Sequence, residues 1–433
     1  LGLATDQAVR ALVDKSLLEV RESAEGEPRF SMLETLREYA LEKLVESGEE
    51  DRSRRAHAAY FLVLAEEGFV SLASSGPPHW LKRFETEHDN FRVALEWLTQ
   101  QGNADWGLRM ALGLFPFWER GEHLAEGRRR LGSLLDLEEG WAVPGRRANA
   151  VFAAAVLAHI QGDVEKGIEL HAQSLQIYRE LGDERGVVVA LVALGTQYVA
   201  VSQYEKAESV LQESLEAWQR LGDQAGFARS LSNLGYVARV QGRLHEARAR
   251  YVEAAAIFAE LGDRLSHAWA INHEGDAARE QGRPDAAASL YERALATFRA
   301  LENDWGIGTS LADLGAIARQ RGDYAAAGRL YREALHSFVR LDHRRGIARL
   351  LESLACLAAE EGRAEHGLLL AAAASVLRDR VGAPPSPAVQ SELQRSLGAM
   401  RQALGLEAAR RVWREGVAMP VEGVIRLATG GRA

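Results

Sequence analysis

The sequence repeats one short pattern at intervals of 40 residues. The triplets are Leu181-Gly182-Asp183, Leu221-Gly222-Asp223 and Leu261-Gly262-Asp263, followed in the same register by Leu301-Glu302-Asn303 and Leu341-Asp342-His343. A fixed period indicates one supersecondary unit that is copied along a solenoid. Because solenoids present extended binding surfaces, the repeat favours a protein-interaction or sensor role over catalysis.

Each period is predicted to contain two helices. Halfway between the triplets lie Gly162, Gly242, Gly282, Gly322 and Gly362, with Ser202 in the remaining place. Gly directly after a helical segment is a helix-ending signal. Between the turns, apolar residues recur at spacings of three and four, as in Leu231, Leu234 and Val237. This spacing predicts helices of roughly 17 residues, each about 25 Å long.

Small residues recur within these helices. Gly195, Gly235, Gly275 and Gly315 lie in the first helix of successive units, and Ala207, Ala247, Ala287 and Ala327 lie in the second; Leu211, Tyr251, Tyr291 and Tyr331 follow four residues later. A small residue lets two backbones approach, and a large neighbour fills the remaining space. The ladder resembles the tetratricopeptide repeat, in a 40-residue subclass found in peptide-binding scaffolds and bacterial regulators. The resemblance implies an all-α, right-handed superhelix of six units over residues 145–381.

The N-terminal residues predict a different unit. Residues 6–14 form an amphipathic pattern, 17–20 and 29–32 read as strands, and 33–45 reads as a helix. Glu25-Gly26-Glu27-Pro28 is a turn signal between the strands. Helix, hairpin and helix in this order correspond to the second half of a winged helix.

Two stretches, ALVDKSLLEV at 11–20 and RFSMLETLREYALEKL at 29–44, carry a second resemblance. They are similar to the winged helix of bacterial signal-transduction ATPases of the NB-ARC or STAND type. In that family an upstream P-loop ATPase binds nucleotide, and a repeat domain senses the trigger. The resemblance therefore implies an ATPase domain upstream of this chain. The family's Met-His-Asp signature corresponds to Met32-Leu33-Glu34, and Leu33 cannot donate a hydrogen bond to phosphate.

These patterns define four predicted segments. They are a partial winged helix at 1–48, a helical bridge with a degenerate repeat at 49–144, six repeats at 145–381 and C-terminal capping helices at 382–433. Gly113, Ala125 and Gly132 follow the repeat spacing within the bridge. Pro384-Pro385-Ser386-Pro387 marks the last boundary. The first residues read as the interior of a helix and lack Met, so we expect a fragment of a longer protein.

Composition and motifs exclude several functions. The net charge of −9 argues against broad, non-specific nucleic-acid binding. A single cysteine, Cys356, suits a reducing, cytoplasmic compartment. No apolar run approaches the roughly 18 residues that a membrane span needs. The P-loop, H-E-x-x-H and G-x-S-x-G motifs are absent. We therefore expect no enzymatic site, cofactor or metal in this chain.

The first helix of each unit is expected to line a concave groove. The groove positions are Arg229, Ser232, Tyr236 and Arg239 in unit three, Trp269, Asn272, Asp276 and Arg279 in unit four, and Arg319 in unit five, with Val189 and Val192 in unit two. Arg beside aromatic residues is typical of interface hot spots. Because Arg pairs with carboxylates, this groove predicts a peptide or protein ligand that is acidic in part. The alternative is an ordinary solvated surface with Trp269 half-buried between units.

Three functions remain open from the sequence. The chain is the sensor of a STAND-type regulator, a stand-alone peptide-binding adaptor, or a DNA-binding regulator that acts through its winged helix. The winged-helix segment carries few Lys or Arg residues, which favours an intramolecular packing role and makes nucleic acid an improbable partner of this chain.

Overall fold

The computed structural model describes residues 3–22, 28–73, 79–120, 123–137, 143–341, 343–381 and 387–430. These residues form 22 helices and one two-stranded sheet, so the predicted all-α fold is confirmed. The chain divides into two compact units, Leu1–Leu181 and Gly182–Ala433. The turn signal at 25–27, residue 342 and the proline boundary at 384–386 lie outside the described residues.

The N-terminal segment has the predicted order of elements. Its bounds are α1 Leu3–Asp14, β1 Glu19–Glu22, β2 Pro28–Ser31 and α2 Glu34–Glu46. The strands are antiparallel, with Val20 opposite Phe30. The first strand begins two residues later than predicted, because the amide of Leu17 still donates to the carbonyl of Leu12 at 2.9 Å. Ser16, with φ of 57°, makes the turn that leads into the strand.

Five helices form the bridge and its core. They are α3 Glu50–Ala73, α4 His79–Thr86, α5 His88–Gln100, α6 Ala104–Arg120 and α7 Leu124–Leu135. The aromatic side chains of Phe84, Phe91 and Trp118 are buried at its centre. The predicted degenerate repeat is a helix pair, α6 and α7, but its Gly113 does not face α7. A Cβ there would lie 2.8 Å from the backbone of Ala65 on α3.

Six helix pairs follow at the predicted interval. They are α8 Pro144–Ile160 and α9 Val164–Leu181, α10 Glu184–Ala200 and α11 Tyr204–Leu221, α12 Gln224–Val240 and α13 Leu244–Glu260, α14 Arg264–Glu280 and α15 Pro284–Ala300, α16 Asp304–Gln320 and α17 Tyr324–Arg340, and α18 Arg344–Glu360 and α19 Ala364–Val381. The first pair belongs to the N-terminal unit, and the other five belong to the C-terminal unit. The last helices are α20 Pro387–Leu404, α21 Leu406–Ala418 and α22 Val421–Thr429.

The repeated triplet ends one helix pair and begins the next. Gly222 closes α11 with φ of 68°, a left-handed conformation that glycine adopts without steric cost. The carboxylate of Asp223 then accepts a hydrogen bond from the amide of Gly226 at 2.8 Å and caps α12. Asp183, Asp263, Asn303 and His343 cap their helices in the same way. The Leu-Gly-Asp pattern is therefore a helix stop followed by a helix start.

The small-residue ladder lies where the two helices of a pair cross. A Cβ on Gly275 would lie 2.7 Å from Cε1 of Tyr291, and one on Gly235 would lie 2.9 Å from Cε1 of Tyr251. Gly195 and Gly315 have the same relation to Leu211 and Tyr331. Ala207, Ala247, Ala287 and Ala327 are fully buried. Each of these four pairs therefore packs a large side chain against the backbone of a glycine.

Candidate ligand-binding groove

The first helices α10, α12 and α14 share a face that contains a pocket of about 390 Å³. Its apolar wall comes from Val189, Val192, Trp218, Phe258, Trp269 and Ala270. Its polar lining comes from Arg229, Ser232, Asn233, Ser266 and His273. The pocket is thus mainly apolar with a few convergent polar groups, which is the usual character of a ligand site.

Five of the predicted groove residues line this pocket: Arg229, Ser232 and Trp269, with Val189 and Val192 of unit two. The Trp269 ring packs 4.8 Å from the ring of Phe298 and 5.9 Å from that of His273, which fixes the indole. Burial lowers the pKa of His273 to about 4, so its ring is neutral at pH 7. The Arg229 side chain is exposed and has no hydrogen-bond or ion-pair partner within the described ranges. Arg229 is therefore a free cation beside an apolar cavity.

Tyr236 and Arg239 lie next to each other on α12. The guanidinium of Arg239 lies 5.2 Å from the centroid of the exposed Tyr236 ring and donates to Glu280 on α14 at 2.5 Å. Burial alone would lower the pKa of Arg239, but the carboxylates of Asp276 and Glu280 raise it. Arg239 is therefore an ion-pair link between neighbouring repeats rather than a free ligand contact.

Arg279 and Arg319 are also engaged. Arg319 donates to Glu360 at 2.8 Å and to Glu392 of the C-terminal helix α20. Arg279 contacts the hydroxyl of Tyr291 at 3.4 Å and lies 3.9 Å from Glu280. Ligand binding by the three stacked Arg side chains stays a prediction, and Arg239 and Arg319 would each have to exchange a carboxylate of their own chain for the ligand.

Asn272 and Asp276 belong to the interior of the repeats. Asn272 is buried and donates to the hydroxyl of Ser310 at 3.1 Å. Asp276 accepts a hydrogen bond from the Tyr291 hydroxyl at 2.8 Å. Asn272 therefore links units four and five, whereas Asp276 links the two helices of unit four. Counting from the repeat glycine places both on the groove helix but cannot show these contacts.

Comparison with known proteins identifies both parts of the chain. A tetratricopeptide-repeat model matches residues 147–220 and 226–300, and a second one matches 307–341. A winged helix-turn-helix domain model matches residues 2–45. The chain therefore contains tetratricopeptide repeats preceded by a winged-helix segment.

One curated relative is a Mycobacterium tuberculosis strain H37Rv protein that is named as an HTH-type transcriptional regulator. It is 36% identical over 191 residues, which covers 42% of this chain and 21% of the relative. The chain thus spans about a fifth of the length of the curated relatives it matches.

Two solved structures share the fold. The STAND protein with a tetratricopeptide repeat sensor from Pyrococcus horikoshii has a TM-score of 0.52 and 18% identity, over 91% of this chain and 57% of that protein. The apo form of RapI has a TM-score of 0.50 and 15% identity, over 66% of this chain and 99% of that protein. Within the described residues, no helix is long and apolar enough to cross a membrane.

Proposed function

We propose that this chain is the signal-sensing part of a STAND-type transcriptional regulator, and that it binds a peptide or protein on the face of α10, α12 and α14. The observation that carries the proposal is the apolar pocket beside the unpaired Arg229. A solenoid is suited to this role because consecutive repeats build one continuous surface. Tetratricopeptide solenoids are typically non-catalytic, and we propose that this chain supplies recognition in the cytoplasm without a cofactor.

The pocket defines the chemistry of the ligand. Val189, Val192 and Trp269 offer an apolar surface that suits one large aliphatic or aromatic side chain. Arg229 lies at the same pocket and can pair with a carboxylate through two parallel hydrogen bonds. The expected ligand is therefore a peptide with an apolar anchor next to an acidic side chain or a C-terminal carboxylate.

The winged-helix segment supports an upstream partner domain in the full-length protein. Helix α2 has no buried residue, and Leu33, Tyr39 and Val45 are all more than half exposed. These side chains are six residues apart and so lie on different sides of the helix, and apolar residues all around a helix are usually buried by a partner. We propose that the upstream ATPase domain of the same protein covers α2. Leu33 would then contribute apolar contact at the place where the family's His contacts nucleotide.

The binding site can be tested with peptides selected from a random phage-displayed library on the immobilised chain. We expect Arg229→Ala and Trp269→Ala each to weaken binding of the selected synthetic peptides at least tenfold in fluorescence anisotropy, about 1.4 kcal/mol or more. Arg293→Ala, which removes an exposed Arg from the outer helix α15, is the matched control and should bind within twofold of wild type. Equal affinity of all four proteins would refute the groove assignment.

DNA binding through the winged helix is the second candidate, favoured by the winged helix-turn-helix match at residues 2–45. Against it, two Arg side chains of this segment are paired with carboxylates: Arg29 with Glu87 at 2.5 Å and Arg37 with Glu34 at 2.5 Å. A gel-shift selection with random-sequence duplexes distinguishes the two. We expect no enriched sequence at physiological salt, and an enriched, specifically shifted duplex would favour the DNA-binding function.

A P-loop encoded upstream of Leu1 would support the STAND proposal.

A further inference from the structure

Two His and two Glu side chains meet where α4, α5 and α7 adjoin. Glu85 is in the last turn of α4, His88 begins α5, His123 precedes α7, and Glu126 is in the first turn of α7. One possible ligand atom from each of Glu85, His88 and His123 lies within 4.8 Å of the other two. Nε2 of His123 is 3.0 Å from Oε2 of Glu85. The sequence carries a mirrored signal here, Glu-x-x-His at 85–88 and His-x-x-Glu at 123–126.

The His88 imidazole is the unusual member of this cluster. It is only 7% exposed, and its shielded Nε2 has no hydrogen-bond partner among the described atoms. The Glu126 carboxylate is 3.2 Å away, but its two oxygens accept hydrogen bonds from Arg92 at 2.6, 2.8 and 3.0 Å. A buried nitrogen without a partner is destabilising. A ligand at this point would remove that penalty.

The surroundings hold both rings in place. The His88 and His123 rings are 4.1 Å apart, and Phe117 packs 5.4 Å from one and 4.9 Å from the other. The Glu85 side chain is 62% exposed, which leaves one side of the cluster open to water.

We propose that Glu85, His88 and His123 bind a divalent transition metal ion, and that Zn²⁺ suits this ligand set best. Two imidazole nitrogens, one carboxylate oxygen and an open fourth position are a recurrent zinc environment. A tetrahedral site with ligands at about 2.0–2.1 Å places neighbouring ligand atoms roughly 3.3 Å apart. The His123–Glu85 separation is already near that value, and rotation of the exposed Glu85 brings its carboxylate toward His88. Glu126 keeps its hydrogen bonds with Arg92.

A bound metal ion would cross-link three parts of the bridge, because its ligands come from α4, from α5 and from the start of α7. Metal that binds only the folded chain stabilises it. The site lies within the N-terminal unit and is independent of the proposed peptide groove, so either proposal can fail alone.

The test is calorimetric titration of the tag-free, EDTA-treated chain with ZnCl₂, beside thermal melts with and without Zn²⁺. We expect one ion per chain and a melting temperature that rises with Zn²⁺. His123→Gln and Glu85→Gln should each weaken binding at least tenfold and abolish the rise in melting temperature. Replacing Zn²⁺ by Co²⁺ should give the visible absorption of a tetrahedral site in wild type only.

His245→Gln, which removes an exposed His from α13, is the control and should leave the Zn²⁺ affinity within twofold. The melts without metal show whether each variant is folded, and Glu85→Gln changes an exposed side chain that packs little. The proposal is overturned if wild type binds no Zn²⁺, or if His123→Gln and Glu85→Gln bind it as tightly as wild type.

Discussion

Replacing Gly275 with Ala tests the packing on which the repeats depend. Gly275 lies inside α14, where the change by itself should stabilise the helix by about 1 kcal/mol. The new Cβ, however, would lie 2.7, 2.9 and 3.2 Å from three ring atoms of Tyr291. This ring is fully buried, and its hydroxyl donates to Asp276 at 2.8 Å, so it cannot move without breaking that bond.

The expected magnitude follows from these two opposing terms. Overpacking of a tight site costs about 1–3 kcal/mol. After the gain in helix propensity, Gly275→Ala should therefore destabilise the chain by about 0–2 kcal/mol. Gly235→Ala should be milder, because its nearest ring atom is 2.9 Å away and the hydroxyl of Tyr251 has no hydrogen-bond partner among the described atoms.

The matched control is Gly398→Ala in α20 of the same unit, where a Cβ would meet nothing within 4 Å. It should stabilise by about 0.5–1 kcal/mol, the usual advantage of Ala over Gly. Urea unfolding followed by circular dichroism compares the three variants, and Gly275→Ala should be about 0.5–3 kcal/mol less stable than Gly398→Ala. If both changes stabilise equally, the small-residue explanation of the repeat is refuted.

Two further outcomes concern buried charge. Arg378→Ala should destabilise the chain by about 3–5 kcal/mol in urea unfolding, because it removes the two hydrogen bonds, at 2.8 and 2.9 Å, that the buried Glu352 carboxylate accepts. The control is Arg410→Ala at an exposed position, which should change the stability by less than about 0.5 kcal/mol. Equal effects of the two changes would contradict the buried ion pair. Burial lowers the pKa of His171 to about 4, so between pH 6.5 and 4 the unfolded chain binds a proton that the folded chain does not. The free energy of unfolding should therefore fall on acidification from pH 7 to 5 by about 2 kcal/mol more in wild type than in His171→Gln, and parallel pH profiles would contradict this.

Most of the fold follows from local signals in the sequence. The triplets and the midway glycines predict where each helix begins and ends. A residue in the left-handed conformation ends one helix, and within a few residues an Asp side chain caps the start of the next. The repeat positions that depart from the consensus keep its structural role. Asn303 and His343 still cap their helices, and Ser202 still adopts a positive φ of 59°. Gly113 is the exception, because its neighbour comes from α3 rather than from its own pair.

The candidate site was harder to predict. Repeat spacing places Arg229 and Trp269 on the groove helices but cannot show which Arg side chains are neutralised. Arg239 meets Glu280 from the next repeat, and Arg319 meets Glu392 from α20, so the partners depend on packing over long sequence separations. The sequence spacing of His88 and His123 does not predict that they meet, for the same reason. Their proximity depends on how the bridge helices fold back on one another.

The central claim is that the face of α10, α12 and α14 binds the peptide ligand. The most direct measurement places a photo-crosslinking amino acid at Ser232, which lines the pocket, or at the exposed Glu253 of the outer helix α13. Each protein is irradiated with a library-selected peptide, and the products are separated by mass spectrometry. The account predicts a crosslinked product from position 232 and none from position 253. A product from position 253 with none from 232 would contradict it.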